Sequence, residues 1–183
     1  MQRDLVERAM AGDHEAFSEL ARLGVRRLYA VARLILRDSD RAEDATQEAL
    51  FVAWRDLRAL RDPDRFNAWL HRLLVRECYR EARSGRRRTE VEGRVRPLVQ
   101  VDDPGQLNAL RDELQRGLAR LTVELRTALV LHHYLGYSFP EIGDALGIPT
   151  GTAKSRVHRA TQMMRAALVA DAQPPRSSGG RLG

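Results

Sequence analysis

Lys154, Ser155, His158 and Arg159, with Gly151 and Gln162, fall on one side of any helix that begins near Thr150. That side carries no acid. At roughly 100° per residue, Ala153, Val157, Ala160, Met164 and Leu168 share the opposite face and supply its core contact. An acid-free row of donors at the front of a helix suits a major groove. Thr152, Arg156 and the helix N-terminus would hold phosphates while the outward side chains meet base edges. The residues just upstream supply the rest of a helix-turn-helix. Ser138-Phe139-Pro140-Glu141 is a capping box with proline in the first turn, Gly147 is placed to end that helix in a left-handed conformation, and Ile148-Pro149-Thr150 leads into the second helix with Thr150 as its cap. The plain alternative is a three-helix bundle with a solvated basic helix.

A second cationic set lies in the first half of the chain. Arg65, Arg72, Arg76, Arg80 and Arg83 fall within an arc of about 80° on one helix. Trp69 and Tyr79 lie on or beside that arc, and Phe66, Leu70, Leu73 and Leu74 make the opposite, buried side. Guanidinium groups interleaved with aromatic rings can bind an unpaired strand, with phosphates on arginine and bases on the rings. The preceding loop, Arg58-Ala59-Leu60-Arg61-Asp62-Pro63-Asp64, could pocket a flipped base. A third surface is of another kind. Asp44, Glu48, Phe51 and Arg55 align opposite the apolar side of a helix over 41–60, flanked by Gln47 and Trp54. An outward phenylalanine ringed by charge has the composition of a protein-binding anchor.

Other chemistry is not supported. His132 and His133 are adjacent, so a helix points them about 100° apart, and no cysteine or acid completes a metal set. Cys78 has no histidine or acid paired with it by spacing and reads as a small core residue. The expectation is a protein with no catalytic residue, metal or cofactor of its own. Charge points the same way. Residues 65–96 carry +6 and 151–183 carry +5, separated by an acidic stretch over 97–150, within a chain of 183 residues and net charge +6. Two separate basic blocks suggest two grips on one polyanion. No apolar run approaches the roughly 18 residues a membrane span needs. With acids near the N-terminus and a single cysteine, the chain reads as cytoplasmic, without membrane insertion.

These side chains need helices to position them. Apolar residues recur at three and four, and strict alternation is absent, so an all-α fold is predicted. A first helix over 14–37 buries Phe17, Leu20, Ala21, Val25, Leu28, Val31, Ala32 and Ile35. A second, over 41–60, starts at the capping pair Asp40 and Glu43. A third, over 65–84, follows the Asp62-Pro63-Asp64 turn and ends at Gly85. Gly, Pro and dense charge over 85–106 predict a flexible linker. Leu107, Leu110, Leu114, Leu118 and Leu121 then form a seam, and a further helix runs from Thr122 to Leu135. The predicted organisation is two small helical domains, 1–88 and 107–169, joined by a linker over 89–106 and followed by a disordered tail over 170–183.

Taken together, these motifs resemble the extracytoplasmic-function group of sigma-70 family transcription initiation factors. Ala42-Glu43-Asp44-Ala45-Thr46-Gln47-Glu48-Ala49-Leu50-Phe51 followed by Phe66-Asn67-Ala68-Trp69-Leu70 is similar to region 2. Tyr137 to Ile142, Gly147-Ile148-Pro149 and Gly151 to Ala160 are similar to region 4. The resemblance implies an alternative sigma factor that recognises minus-35 DNA and melts minus-10 DNA. Core RNA polymerase would be bound through its β′ clamp helices and β flap, with Asp44, Gln47, Glu48, Phe51, Trp54 and Arg55 as contacts on this chain. Implied minus-10 contacts are Arg58, Arg61, Arg65, Phe66, Asn67, Trp69, Arg72, Arg76, Tyr79, Arg80 and Arg83. Implied minus-35 contacts are Thr150, Gly151, Thr152, Lys154, Ser155, Arg156, His158 and Arg159. An anti-sigma factor is a further implied partner.

Some positions depart from the family pattern. Arg76 and Arg80 stand where many members have Asn and Asp, so the detail of melting does not carry over. Gly143 and Ala153 stand where Ala and Val are usual, which predicts slightly looser helix-turn-helix packing. The rival reading is a helix-turn-helix regulator whose first 88 residues dimerise or sense a signal.

Overall fold

A computed structural model describes residues 2–92 and 106–172, and among them there are eight α-helices and no strand. α1 (Gln2–Met10) was not anticipated. It packs Val6 and Ala9 onto α2 (His14–Leu36), and its apolar signal, Leu5, Val6, Ala9 and Met10, was masked by four interspersed charges. Asp13 opens α2 as an extended N-cap whose carboxylate accepts from Glu15 N–H and Ala16 N–H, both at 3.0 Å. Arg37 closes α2 in a left-handed conformation, φ 59°, donating its N–H to the Arg33 carbonyl at 2.9 Å.

α3 (Ser39–Asp56) begins earlier than the Asp40–Glu43 pair predicts. Asp38 is the cap, extended at φ −140°, and its side chain accepts from Arg41 N–H at 3.1 Å. Asp40 already lies inside the helix, where its carboxylate cannot cap the start. Two 3₁₀ turns follow, Leu57–Ala59 and Pro63–Arg65. Asp62 opens the second by accepting from Asp64 N–H at 3.0 Å. α4 (Phe66–Glu92) then runs straight through Gly85. A lone glycine inside a helix costs only about 1 kcal/mol, and the arginines and glutamates around it are good helix formers. The predicted linker therefore loses its first residues to α4, and 93–105 lie outside the described residues.

α5 (Gln106–Ala119), α6 (Val123–His133), α7 (Phe139–Leu146) and α8 (Thr150–Ala172) complete the fold. Thr122 caps α6, its hydroxyl accepting from Leu125 N–H at 3.4 Å, and the helix ends at His133, two residues short of the predicted Leu135. Of the tail over 170–183, residues 170–172 are helical and the remainder lies outside the described residues.

The buried face of α3 is Ala42, Ala45, Ala49 and Ala53, all with no exposed surface. Four small residues in register let α3 approach α2 and α4 closely, so added volume has nowhere to go. Ala49→Leu is expected to destabilise the protein by about 1–3 kcal/mol, read as a lower melting temperature. Val25 departs from its predicted stripe and is 37% exposed, because it sits about 80° from Phe17 around the helix. Of the leucine seam, Leu118 and Leu121 are buried while Leu114 is 44% exposed. Leu114 faces an open cleft against α2. Leu107 and Leu110 lie outside the described side chains.

The two halves are in contact. α6 buries Leu125, Arg126, Thr127, Ala128, Val130 and Leu131, packing against α8 and α2, and α7 packs against α4. One buried cluster accordingly runs from α1–α4 into Leu131, Ile142 and Val157. The two predicted domains therefore share buried contacts in addition to the chain that joins them.

Candidate nucleic-acid interface

The helix-turn-helix is built as its residues dictate. Ser138 Oγ accepts from Glu141 N–H at 3.5 Å, and the Glu141 carboxylate accepts from Ser138 N–H at 2.8 Å and from the hydroxyl at 2.6 Å. These bonds hold the Glu141 carboxyl below the usual range. Gly147 ends α7 at φ 65°. α8 takes Thr150 as its first helical residue, so Pro149 and not Thr150 occupies the cap. The Pro149 carbonyl accepts from Thr152 N–H at 2.9 Å and Ala153 N–H at 3.0 Å.

The packing is tight, contrary to the loosening that Gly143 predicted. A Cβ at Gly143 would lie 2.9 Å from the Ile148 carbonyl oxygen, and the Ile148 N–H donates to the Gly143 carbonyl at 3.0 Å. The turn comes down directly onto the glycine.

Ala153, Val157, Ala160 and Met164 are buried, as the spacing predicts. Thr150, Gly151, Lys154, Ser155, His158 and Arg159 are exposed, and Thr152 and Arg156 are half-buried. His158 and Gln162 approach each other at 3.0 Å on that open face. The result is a solvent-facing surface of donors on rigid backbone, which is what a groove-reading helix requires.

Arg72, Arg76, Arg80 and Arg83 of α4 are all exposed, as are Arg65 in the 3₁₀ turn that leads into it and Arg58 and Arg61 in the preceding loop. Trp69 is half-buried, tilted against Phe66 at 6.2 Å between ring centroids. Phe66 is 4% exposed, on the buried side as the helical spacing predicts, and supports the loop from beneath, whereas the resemblance implied a place at the minus-10 strand. Tyr79 departs from its predicted place. Tyr79 is turned away from the arginine row toward α6, close to Thr127 and Arg156, and burial raises its phenol above the ordinary value. Asn67 is exposed and exchanges hydrogen bonds with Gln2 at 2.9 and 3.4 Å. Together with Arg3–Asp64 at 2.7 Å, these contacts make α1 a brace for the loop, a role no sequence signal indicated.

Arg80, one of the unusual positions, lies 2.9 Å from Glu77 and 3.8 Å from Glu48 of α3. It therefore joins the arginine row to the third surface. There, Phe51 is 58% exposed, with Asp44, Gln47 and Arg55 exposed around it and Glu48 half-buried. Trp54 is a packing residue, its ring 4.6 Å from His14 and 5.0 Å from Phe17. It fixes α3 from the side. Cys78 is fully buried and its thiol is pushed up to about 12, in keeping with a core role. His132 does not face a ligand set: its Nδ1–H donates to the Tyr137 carbonyl, 2.8 Å away, and its ring stacks on Phe139 at 4.9 Å.

The loop before α4 forms one wall of a cavity of about 560 Å3 with Arg61, Arg65, Trp69 and Arg72. Beside it, His71 bonds Tyr137 at 2.8 Å between Nδ1 and the hydroxyl. Burial, aided by the charge of Arg27, lowers the His71 imidazole to about 4. Below the ordinary value near 6.5, the unfolded chain takes up a proton that the folded chain refuses. The stability tied to a neutral His71 is thus complete above pH 6.5 and is lost as pH falls toward 4, by up to about 3 kcal/mol. Thermal melts between pH 7 and 4.5 should show this loss, and His71→Phe should flatten it.

Comparison with known proteins places this arrangement. The description "Sigma-70 region 2" matches residues 20–88, and "Sigma-70, region 4" matches residues 111–164. The ECF RNA polymerase sigma factor SigM of Mycobacterium tuberculosis is 35% identical over 157 residues, covering 86% of this chain and 79% of the relative. The RNA polymerase sigma-H factor of Pseudomonas aeruginosa is 28% identical over 180 residues, covering 91% and 93%. Among solved structures, the sigma factor RpoE in complex with the anti-sigma factor NepR from Bartonella quintana superposes with a TM-score of 0.71 at 28% identity, covering 85% of this chain and 98% of that one. CnrH in complex with the cytosolic domain of CnrY gives 0.70 at 25% identity, covering 93% and 99%. The chain belongs to the extracytoplasmic-function group of the sigma-70 family. It is an alternative sigma factor that directs transcription initiation, and the regulator reading is not favoured. No helix among the described residues is long and apolar enough to cross a membrane.

Proposed function

We propose that α8 reads the minus-35 element, with Lys154, Ser155, His158 and Arg159 at base edges and Thr150, Gly151, Thr152 and Arg156 at the backbone. The exposed arginines of α4, Arg58 and Arg61 of the loop, Asn67 and Trp69 hold the melted minus-10 strand. Asp44, Gln47, Glu48, Phe51 and Arg55, braced by Trp54, dock on the β′ clamp helices of core RNA polymerase. The region 4 half meets the β flap. The functional units are residues 1–88 and 107–169, the chain works in the cytoplasm, and the bond-making chemistry is the polymerase's. The observation that carries this reading is the coexistence, on one chain, of two open cationic helix faces and one exposed phenylalanine ringed by charge.

The division of labour is testable on DNA. Arg159→Ala is expected to cost about 1–3 kcal/mol at the minus-35 element and to relax preference at one base position. Arg76→Ala should leave minus-35 preference intact while weakening open-complex formation. Footprints of the holoenzyme on a selected promoter separate the two. Loss of protection at both elements from either single change would contradict the assignment.

An anti-sigma factor is a further proposed partner, supported by the solved relative RpoE, which is held by the anti-sigma factor NepR. An apolar cleft of about 590 Å3 between α2 and α5–α6, lined by Leu34, Leu114, Leu118, Leu129, Tyr134 and Met164, offers it a seat.

A further inference from the structure

Thirty of the 31 lysine and arginine side chains are arginine, and one, Lys154, is lysine. The two cations differ in reactivity. A guanidinium stays charged in water, whereas an ε-amine that has shed its proton attacks activated acyl groups and becomes a neutral amide. Every proposed cation of the melted-strand surface is an arginine and is closed to that reaction. The groove-reading face of α8 is open to it.

We propose that Lys154 is an acylation site, modified by a small acyl phosphate, and that its acylation weakens minus-35 recognition while leaving the melted-strand surface untouched. This rests on the minus-35 role given above to α8.

The surroundings of Lys154 suit the reaction. It is exposed, and among the described residues its amine has no carboxylate or hydrogen-bond partner. By contrast, Arg3, Arg8, Arg22, Arg55 and Arg80 each lie 2.6–2.9 Å from a carboxylate. No ion pair has to break before Nζ can react. Gly151, one turn earlier on the same side, adds no bulk, since a Cβ there would meet nothing within 4 Å. His158, one turn later, shares the face. The Gln162 amide N–H donates to its Nε2 at 3.0 Å, so the neutral ring carries its own proton on Nδ1 as a donor to an anion. Arg159 adds an exposed guanidinium, and no Asp or Glu occurs between Asp144 and Asp171. A small anion approaching this face meets donors and positive charge, which raises its local concentration. That selects an acyl phosphate over an uncharged acyl donor.

Atoms and charge are conserved in the step. The lone pair of the deprotonated Nζ adds to the acyl carbonyl carbon, and the bond from that carbon to the phosphate oxygen breaks. Inorganic phosphate leaves with the bonding pair, and the displaced amine proton passes to phosphate or water. Lys154 thereby changes from a cation with three donors to a neutral amide with one, lengthened by the acyl group. In a major groove this removes one charge that releases counterions and places apolar bulk where a donor was needed.

The test incubates the full chain with acetyl phosphate and an equal concentration of Nα-acetyl-lysine amide in the same tube, followed by peptide mass mapping. Lys154 should be acetylated about threefold faster than the free amine. The acetylated chain, freed of reagent, is then assembled with core polymerase, and its affinity for a minus-35 duplex from a selected promoter is read by anisotropy. Affinity should fall about tenfold, and the salt dependence should lessen by about one unit of slope. Lys154→Arg sets its own baseline, which the same treatment should leave where it was, because only the N-terminal amine remains to react. Acetylation of Lys154 no faster than the free amine, or an equal loss of affinity in treated Lys154→Arg, overturns the proposal. Complete acetylation with unchanged affinity also overturns it, and Arg159→Ala measured alongside then separates the two readings. Weaker binding by Arg159→Ala leaves the minus-35 role of α8 standing without Lys154, whereas unchanged binding overturns both.

Discussion

Phe51→Ala combined with Asp44→Lys is expected to leave a folded chain that no longer holds core polymerase. Neither side chain supports the fold: Phe51 is 58% exposed and Asp44 lies on the same open side of α3, opposite the buried alanines. An exposed aromatic at the centre of a charged ring is where interface energy concentrates, and truncating such an anchor costs about 2 kcal/mol or more, about 30-fold in affinity. Reversing a neighbouring rim charge chiefly slows association and sharpens salt dependence. Together they should weaken the holoenzyme by two orders of magnitude or more, measured as loss of co-elution with core polymerase. Retained minus-35 DNA binding by the variant shows that its fold is intact.

Gly143→Val should be nearly as damaging, by a different route. Any Cβ there starts 2.9 Å from the Ile148 carbonyl oxygen, and that oxygen is backbone of the turn that orients α8. It cannot step aside as a flexible side-chain tip can. The expected cost is about 2–4 kcal/mol, with minus-35 affinity falling because α8 loses its angle to α7. Gly24→Ala is the contrast, since a Cβ there meets nothing within 4 Å on an open helix face. It should raise stability by about 0.5–1 kcal/mol. A melt comparing the two glycines distinguishes close approach from simple helix propensity.

The helix-turn-helix was legible residue by residue because its signals are local: the Ser138–Glu141 box, Gly147, and the period of Ala153 to Met164 each act within one turn. The arginine row and the exposed Phe51 were legible for the same reason. What escaped depended on partners distant in sequence. Nothing near Arg126 announces that its guanidinium will cap a helix ending about 90 residues earlier, and nothing near His71 announces Tyr137. Gly143 read as a weak point because propensity treats glycine as missing contact, whereas here the missing Cβ is what admits the turn. Gly85 misled in the opposite sense, as a stop signal that its helix-forming neighbours override. The start of α3 slipped by two residues because Asp38 and Asp40 are both competent caps, and backbone direction at the tight α2–α3 corner chooses between them.

Transcription in vitro from a promoter library, with core polymerase alone, with core polymerase plus this chain, and with core polymerase plus the Phe51→Ala/Asp44→Lys variant, tests the central claim most directly. Transcripts that appear only with the unaltered chain, from templates sharing two spaced elements, are the predicted result. Equal transcription in all three reactions, or chain-dependent transcription undiminished by the α3 variant, would contradict it.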